Sequence, residues 1–184
     1  MQSHTPVVEF NFARQGEIFE QELQIIRRFA AWVDTLGPLD QAGPEVRLQV
    51  LAAVRSLARV FKGSGEKASM QDYGRRVLHH APGSWSLAVI TLQPGQKTEP
   101  HDHSGWGCAA TVQGIERNRR FVRGSRGSLY LISERDYLPG NGYYFHENEI
   151  HQPEGADPRQ LTVALHFLTE APAGSQSQAE AGRE

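Results

Sequence analysis

Two histidines separated by one residue, His101 and His103, form the motif that can most directly do chemistry in this sequence. In an extended strand, residues i and i+2 point to the same side, so both imidazoles would project together while Asp102 points away. A third histidine from a later strand would complete a set of three neutral donors on one side of a metal ion. His151 is the best candidate, because it follows a turn-rich segment, residues 139–148, from which the chain can return beside the first pair.

The alternative for the same residues is structural, with polar side chains that lie near the end of a strand and bind no metal. An H-x-H pair alone does not choose between these two interpretations. A lone Cys108 excludes an intrachain disulfide and favours a reducing compartment, so we expect a cytoplasmic protein. Residues 1–12 lack the basic start and apolar run of a signal peptide, and no stretch approaches membrane-spanning length.

Two helices are predicted ahead of the histidines. Apolar residues recur at helical spacing over residues 17–36 and again from Pro44 to about residue 62, in each case up to a glycine that ends the run. Beyond Tyr73 the pattern changes to short runs of β-branched and aromatic residues separated by glycine-rich turns. Strands are predicted over residues 86–92, 109–113, 128–132, 143–145 and 161–168.

Such a density of turns is typical of an antiparallel barrel or sandwich. We therefore predict a mainly β fold behind two N-terminal α-helices, in one domain over residues 1–170 with the barrel over residues 73–170. The tail, residues 171–184, is rich in Ala, Gly, Ser, Gln and Glu and is predicted to be unstructured.

The charge of the chain argues against nucleic acid or a membrane surface as a partner, since the formal net charge is only -2. One local exception is a cluster of arginines without interleaved stacking residues beyond Phe121, which we interpret as a solvated hairpin face. Its members are Arg117, Arg119, Arg120, Arg123 and Arg126. The sequence does not determine whether the protein is a monomer or a homodimer.

Two longer patterns around the histidines resemble the two signatures of the cupin family. The first runs from Gly95 through His101 and His103 to Gly114, and the second from Gly142 to His151. Cupins are small β-barrels, so the resemblance implies the same fold class, but that fold serves enzymes, binding modules and storage proteins.

With Tyr73-Gly74-Arg75 and Ala164-Leu165-His166 added, residues 73–168 resemble the cysteine dioxygenase family, the thiol dioxygenases among the cupins. This resemblance implies Fe(II) as the cofactor, held by the three histidines named above. It also implies that Arg75 binds the carboxylate of a thiol substrate, with Tyr73 beside it, and that His166 is an outer-sphere catalytic histidine. Trp106 is either a wall of the substrate cavity or part of the core.

The residue types support that chemistry independently. Three neutral ligands leave the charge of the metal uncompensated, which favours a thiolate ligand. A guanidinium at Arg75 can hold a carboxylate in bidentate fashion. We therefore expect an enzyme that oxidises a small carboxylated thiol to its sulfinate with O2 as co-substrate. Arg76 would lie on the opposite face of an extended segment.

The sequence departs from the family pattern at two places. Much of the family has an S-x-H-x-Y relay, and here those positions are Ala164, His166 and Leu168, so the middle member has lost both partners unless Tyr143, Tyr144 or Tyr130 substitutes. The cysteine that cross-links to the relay tyrosine in animal members corresponds to Gly107 when counted back from Gly114, which turns Cys108 away from the cavity because strand faces alternate.

The shorter spacing and Trp106 resemble bacterial members of the family, several of which oxidise mercaptoalkanoates. The substrate therefore stays open between L-cysteine, favoured by Arg75, and a mercaptoalkanoate such as 3-mercaptopropionate or mercaptosuccinate, favoured by the missing tyrosine. The rival function is a metal-binding cupin without thiol oxidation, either an isomerase-like enzyme or a small-molecule sensor.

Overall fold

A computed structural model describes residues 12–61 and 73–170 of the protein. They form two helices and eight strands: α1 (Phe12–Val33), α2 (Pro44–Val60), β1 (Gly74–Ala81), β2 (Trp85–Leu92), β3 (Gly107–Gln113), β4 (Glu116–Arg123), β5 (Leu129–Tyr137), β6 (Gly142–Phe145), β7 (Ile150–Gly155) and β8 (Thr162–Thr169). Two short 3-10 turns, Asp34–Leu36 and Leu39–Gln41, connect the helices. None of the described helices is both long and apolar enough to cross a membrane.

The strands form two antiparallel sheets that enclose a small barrel. One sheet has five strands in the order β1-β2-β8-β3-β6, and the other has three in the order β5-β4-β7. Loop connections therefore bring β3 and β8, which are far apart in sequence, side by side. The predicted fold class is confirmed in its architecture: the protein is mainly β, a small antiparallel barrel preceded by two N-terminal helices.

The five-stranded sheet buries one face under the helices. α2 begins at Pro44, which is favoured in the first helical turn, and presents a stripe that includes Val50, Val54 and Leu57 to the strands. From the sheet, Trp85, Leu87, Val89, Trp106, Cys108, Leu165 and Phe167 complete this apolar core. The opposite face of the same sheet points into the barrel.

Element boundaries differ from the sequence predictions in several places. The first helix starts at Phe12 rather than at residue 17, and its last predicted turn is the separate 3-10 turn at Asp34–Leu36. β5 is a nine-residue strand and not the short run expected from residues 128–132. β4 and β7 were not predicted as strands, because charged and polar residues dominate both. The predicted tail, residues 171–184, lies outside the described part of the chain.

Candidate metal centre

The structure brings the side chains of His101, His103 and His151 together. One ligand nitrogen from each lies within 4.8 Å of the others, and the Nε2 atoms of His103 and His151 are 3.2 Å apart. Two nitrogens that each bind one metal at about 2.0–2.1 Å, at angles between octahedral and tetrahedral, lie about 2.8–3.4 Å apart. The spacing of this pair therefore suits two ligands of a single metal ion.

Backbone pairing fixes His101 against His151. The two residues form an isolated antiparallel bridge in which each backbone N–H donates to the carbonyl of the other, at 2.9 Å and 2.8 Å. His151 belongs to β7, whereas His101 and His103 lie in an irregular segment before β3, and the carbonyl of His103 accepts the N–H of Asn148 at 2.9 Å. The expectation that the H-x-H pair sits in a regular strand is therefore wrong, although Asp102 is exposed as that expectation implied.

Protonation and tautomer also favour metal binding. Burial, followed by the neighbouring His101, lowers the pKa of His103 to about 4 and that of His151 to about 2, so both rings are neutral near pH 7. The Nδ1 of His101 lies 2.8 Å from the carbonyl oxygen of Glu99, which can accept its proton and leave Nε2 with a lone pair. Three imidazole side chains that present nitrogen atoms at this spacing fit a divalent transition metal.

A small cavity of about 70 Å³ opens beside His101 and His103. Its other lining residues are Tyr73, Arg75, Ala88, Ile90, Thr98, Pro153, His166 and Leu168. Arg75 pairs with Ile90 across β1 and β2, so both side chains face the cavity, while Arg76 pairs with Val89 of the helix-covered face. Within residues 12–61 and 73–170, Arg75 forms no ion pair, which leaves its guanidinium available to an anionic ligand.

Trp106 does not line this cavity. Its side chain is fully buried in the helix-covered core, where the indole N–H donates to the carbonyl of Leu39 at 2.8 Å. The ring packs at a tilt of 39° against Phe167, with centroids 5.6 Å apart, and the guanidinium of Arg47 lies 5.4 Å from its centre. Of the two roles left open by the sequence, the structure places Trp106 in the core and not in the wall of this cavity.

Cys108 also faces the helices. It pairs with Phe167 and belongs to the same core, and burial raises the pKa of its thiol. Gly107 faces the other way, opposite Leu168, and a Cβ there would come within 2.6 Å of the Phe145 ring, which packs against His103 and His151. Because Gly107 has no side chain, the Phe145 ring can occupy this space and pack against His103 and His151.

The site also contains a buried acidic residue, Glu116, which the sequence analysis did not identify. Glu116 of β4 is fully buried. Its Oε1 accepts a hydrogen bond from the hydroxyl of Tyr143 at 2.9 Å and lies at hydrogen-bonding distance, 3.1 Å, from Nε2 of His166. Among the three tyrosines proposed from the sequence as substitutes for the relay, Tyr143 is inside the barrel, whereas Tyr130 is exposed and Tyr144 packs on the helix-covered side.

Three of the five clustered arginines form ion pairs within the protein. Arg117 pairs with Asp136, and Arg119 pairs with Glu134 and Glu154. Arg120 pairs with Glu149 and donates a hydrogen bond to the carbonyl of Tyr144. These two contacts hold both sides of the turn between β6 and β7, which leads to His151. These partners agree with an outer face of ion pairs on the β4–β5 hairpin.

Comparisons with known proteins indicate the fold alone. No protein-family model matches this sequence, and no curated protein matches it either. Similar solved structures include a cupin superfamily protein of Desulfitobacterium hafniense DCB-2, with a TM-score of 0.44, 11% identity and coverage of 62% of this chain and 88% of that chain. KdgF from Halomonas sp. has a TM-score of 0.43 and 17% identity over 59% of this chain and 90% of that chain.

The oxalate decarboxylase of Bacillus subtilis, a protein with Mn(II) centres, is similar with a TM-score of 0.44 and 17% identity. The similarity covers 59% of this chain and 28% of that one, so this chain spans less than a third of the decarboxylase. At these identities and scores the likeness is one of strand arrangement, and it assigns no ligand or activity to this chain.

Proposed function

We propose that this protein is an Fe(II)-dependent thiol dioxygenase. The reaction adds both atoms of O2 to the sulfur of a small carboxylated thiol, R–SH, and yields the sulfinic acid R–SO2H, so that no other oxidant or reductant is needed. Bound iron would supply the redox chemistry toward O2 and favour the thiolate form of the substrate. His101, His103 and His151 would hold it.

One observation carries this proposal: a guanidinium and two of the three clustered histidines line the same cavity. Arg75 can bind a carboxylate through two parallel hydrogen bonds, which fixes the substrate by the end opposite to its sulfur. The cavity of about 70 Å³ is far smaller than the roughly 300–1,000 Å³ of sites for drug-sized ligands, so it suits a substrate of a few heavy atoms. Ala88, Ile90 and Leu168 supply an apolar wall that limits access of water.

The charges of the lining favour a mercaptoalkanoate over L-cysteine. Among the described lining residues there is one arginine and no acidic side chain, so the carboxylate of the substrate has a partner and the ammonium of cysteine has none. We therefore expect 3-mercaptopropionate or mercaptosuccinate to have the higher kcat/KM. Substitution of Leu168 for the relay tyrosine agrees with a thiol other than cysteine.

A second candidate is a metal-binding cupin that does not oxidise thiols. Two positions favour it, because Ala164 and Leu168 carry no hydroxyl with which His166 could form the relay of the cysteine dioxygenase family. In this case the same three histidines would hold a metal for an isomerase-like reaction or for binding of a small anion at Arg75.

Oxygen uptake distinguishes the two candidates. The iron-loaded protein is incubated without oxygen with L-cysteine, 3-mercaptopropionate or mercaptosuccinate, oxygen is admitted, and its uptake is compared with the sulfinate formed. A dioxygenase consumes one O2 for each sulfinate. If protein shown to contain iron takes up no oxygen with any of these carboxylated thiols, the dioxygenase is rejected in favour of the second candidate.

A further inference from the structure

Glu116 is a carboxylate enclosed in the barrel, at 0% exposure, on the strand that pairs with β7. A buried carboxylate without hydrogen-bond donors would cost several kcal/mol, so its partners are part of why this residue is tolerated there. Both donors meet the same oxygen, Oε1: the hydroxyl of Tyr143 at 2.9 Å and Nε2 of His166 at 3.1 Å. Three strands, β4, β6 and β8, thereby contribute to one buried network.

The network determines where the imidazole carries its proton. An ionised carboxylate oxygen can only accept, so a hydrogen bond between Oε1 of Glu116 and His166 requires the hydrogen to be on Nε2. A neutral imidazole protonated on Nε2 has its lone pair on Nδ1. Since the His166 ring lines the cavity, Nδ1 is the nitrogen that remains to accept a proton from a ligand there.

We propose that Glu116 is a positioning residue that holds His166 as the Nε2–H tautomer and that this pair replaces the relay whose end members here are Ala164 and Leu168. The chemical step assigned to it rests on the proposed function. When the thiol enters, its S–H bond breaks heterolytically: the electron pair stays on sulfur, and the proton forms a new N–H bond at Nδ1 of His166. That proton passes to water after the sulfinate leaves.

A merely structural role makes a different prediction. If Glu116 serves only to connect β4 with β6 and β8, losing either of its hydrogen bonds should have similar consequences. Tyr143→Phe removes one donor to Oε1 and leaves the contact with His166 in place. Glu116→Gln keeps the size of the side chain but can present an amide N–H to Nε2, which releases the constraint on the tautomer. These two variants form a matched pair.

Steady-state kinetics of the iron-loaded variants give the first test. For Glu116→Gln we expect unchanged iron content, a KM for the thiol within about twofold of wild type and a kcat lower by about 10- to 100-fold, the usual cost of losing the partner of an essential histidine. Tyr143→Phe leaves the contact between Glu116 and His166 in place and should lower kcat at least about threefold less than Glu116→Gln does. Equal losses of kcat in the two variants, or wild-type kcat in Glu116→Gln, would overturn the positioning role.

The tautomer is measured independently of any activity. In protein loaded with zinc(II), which is diamagnetic, long-range ¹H–¹⁵N correlation spectra report which nitrogen of each histidine is protonated, and a His166→Gln variant assigns the signal. We expect His166 to be protonated on Nε2 in wild type and in Tyr143→Phe, but not in Glu116→Gln. Protonation on Nδ1 in wild type would reject the proposal even if the enzyme is active.

The two tests also separate this inference from the proposed function. A wild-type protein that oxidises no thiol but shows the Nε2–H tautomer, lost only in Glu116→Gln, supports the positioning role and rejects the dioxygenase. If the wild-type protein oxidises thiols but the tautomer of His166 is the same with and without Glu116, the dioxygenase is supported and the positioning role of Glu116 is rejected.

Discussion

The two faces of the five-stranded sheet use the same strands for different purposes. In β8, Val163, Leu165 and Phe167 point to the helices, while His166 and Leu168, which alternate with them, line the cavity. β3 repeats the pattern, with Cys108 toward the helices and its neighbour Ala109 on the inner face. The helix-covered face is apolar and closely packed, whereas the opposite face carries Arg75 and His166, which line the cavity beside His101 and His103.

Successive side chains of a strand point to opposite faces of the sheet, so the division between the two faces runs between adjacent residues. Adjacent residues belong to different environments, so neighbouring substitutions should affect either stability or the site, but not both equally. The comparison teaches that burial alone does not identify function here: Phe167 and His151 are both fully buried, yet one supports the fold and the other belongs to the candidate metal centre.

The largest expected effect is at the candidate metal centre beside the cavity face, and the variant is His151→Ala. Removing one of three ligands leaves two imidazoles, and we expect iron content to fall by at least about tenfold and thiol oxidation to be lost. Metal analysis after dialysis measures the first effect and oxygen uptake the second. His80→Ala is the control, because that histidine is exposed and pairs with Glu170 far along the chain from the motif. Full iron content in His151→Ala would show that this residue is not a ligand.

On the helix-covered face, Phe167→Ala should be the costly change. Its ring contacts Trp85, Trp106 and Phe29, and such a truncation in a packed core costs about 3–5 kcal/mol of unfolding free energy. Leu168→Ala, one residue later, is partly exposed in the cavity and should cost less than about half of that.

Urea unfolding of the metal-free proteins measures both values. The same pair should reverse its order in kinetics, since Leu168→Ala enlarges the cavity and should change the KM for thiols more than Phe167→Ala does. Equal destabilisation by the two variants would contradict the division of the sheet into two faces.

Arg75→Ala tests the guanidinium on the cavity face. Loss of a bidentate hydrogen-bonded contact to a carboxylate should raise KM for a carboxylated thiol by about 10- to 100-fold, equivalent to about 1.4–2.8 kcal/mol, while the iron content stays unchanged. Arg76→Ala is the matched control, because Arg76 pairs with Val89 of the opposite face. A thiol without a carboxylate, such as 2-mercaptoethanol, should be insensitive to Arg75→Ala. If the KM for 3-mercaptopropionate is also insensitive, Arg75 does not bind the carboxylate.

The sequence was sufficient for the parts of the site that local patterns encode. The i, i+2 spacing predicts that His101 and His103 project together, whereas Arg75 was predicted from the family resemblance, and strand alternation only separates it from Arg76. The prediction of a mainly β barrel behind two helices depended on the same local periodicities and is confirmed.

Glu116 could not be predicted, because β4 looks like a charged surface segment. Its sequence, ERNRRFVR, contains four arginines, and only pairing with both β5 and β7 turns Glu116 and Asn118 into the barrel. The partners Tyr143 and His166 come from other strands, so the hydrogen bonds depend on long-range register. The position of Trp106 also depends on residues far away in sequence, since its indole N–H donates to the carbonyl of Leu39 and its ring lies in the helix-covered core.

The smallest effect that we predict concerns Cys108 and the pH dependence of stability. Burial raises the pKa of the thiol in the folded protein above the 9.0 of an exposed cysteine. Above that pH the unfolded chain releases the proton while the folded protein retains it, so the folded state binds more protons and the unfolding free energy falls as pH rises. Below it, the thiol contributes no pH dependence.

The expected slope is about 1.4 kcal/mol for each pH unit above the unfolded pKa, and Cys108→Ala should lack this contribution. Urea unfolding of the two proteins between about pH 8 and about pH 10.5 measures the difference, and the buried tyrosines cancel because both chains contain them. The stability advantage of wild type over Cys108→Ala should therefore shrink as the pH increases. A difference that is constant with pH would mean that the thiol ionises freely in the folded protein, and hence that Cys108 is accessible rather than enclosed beneath the helices.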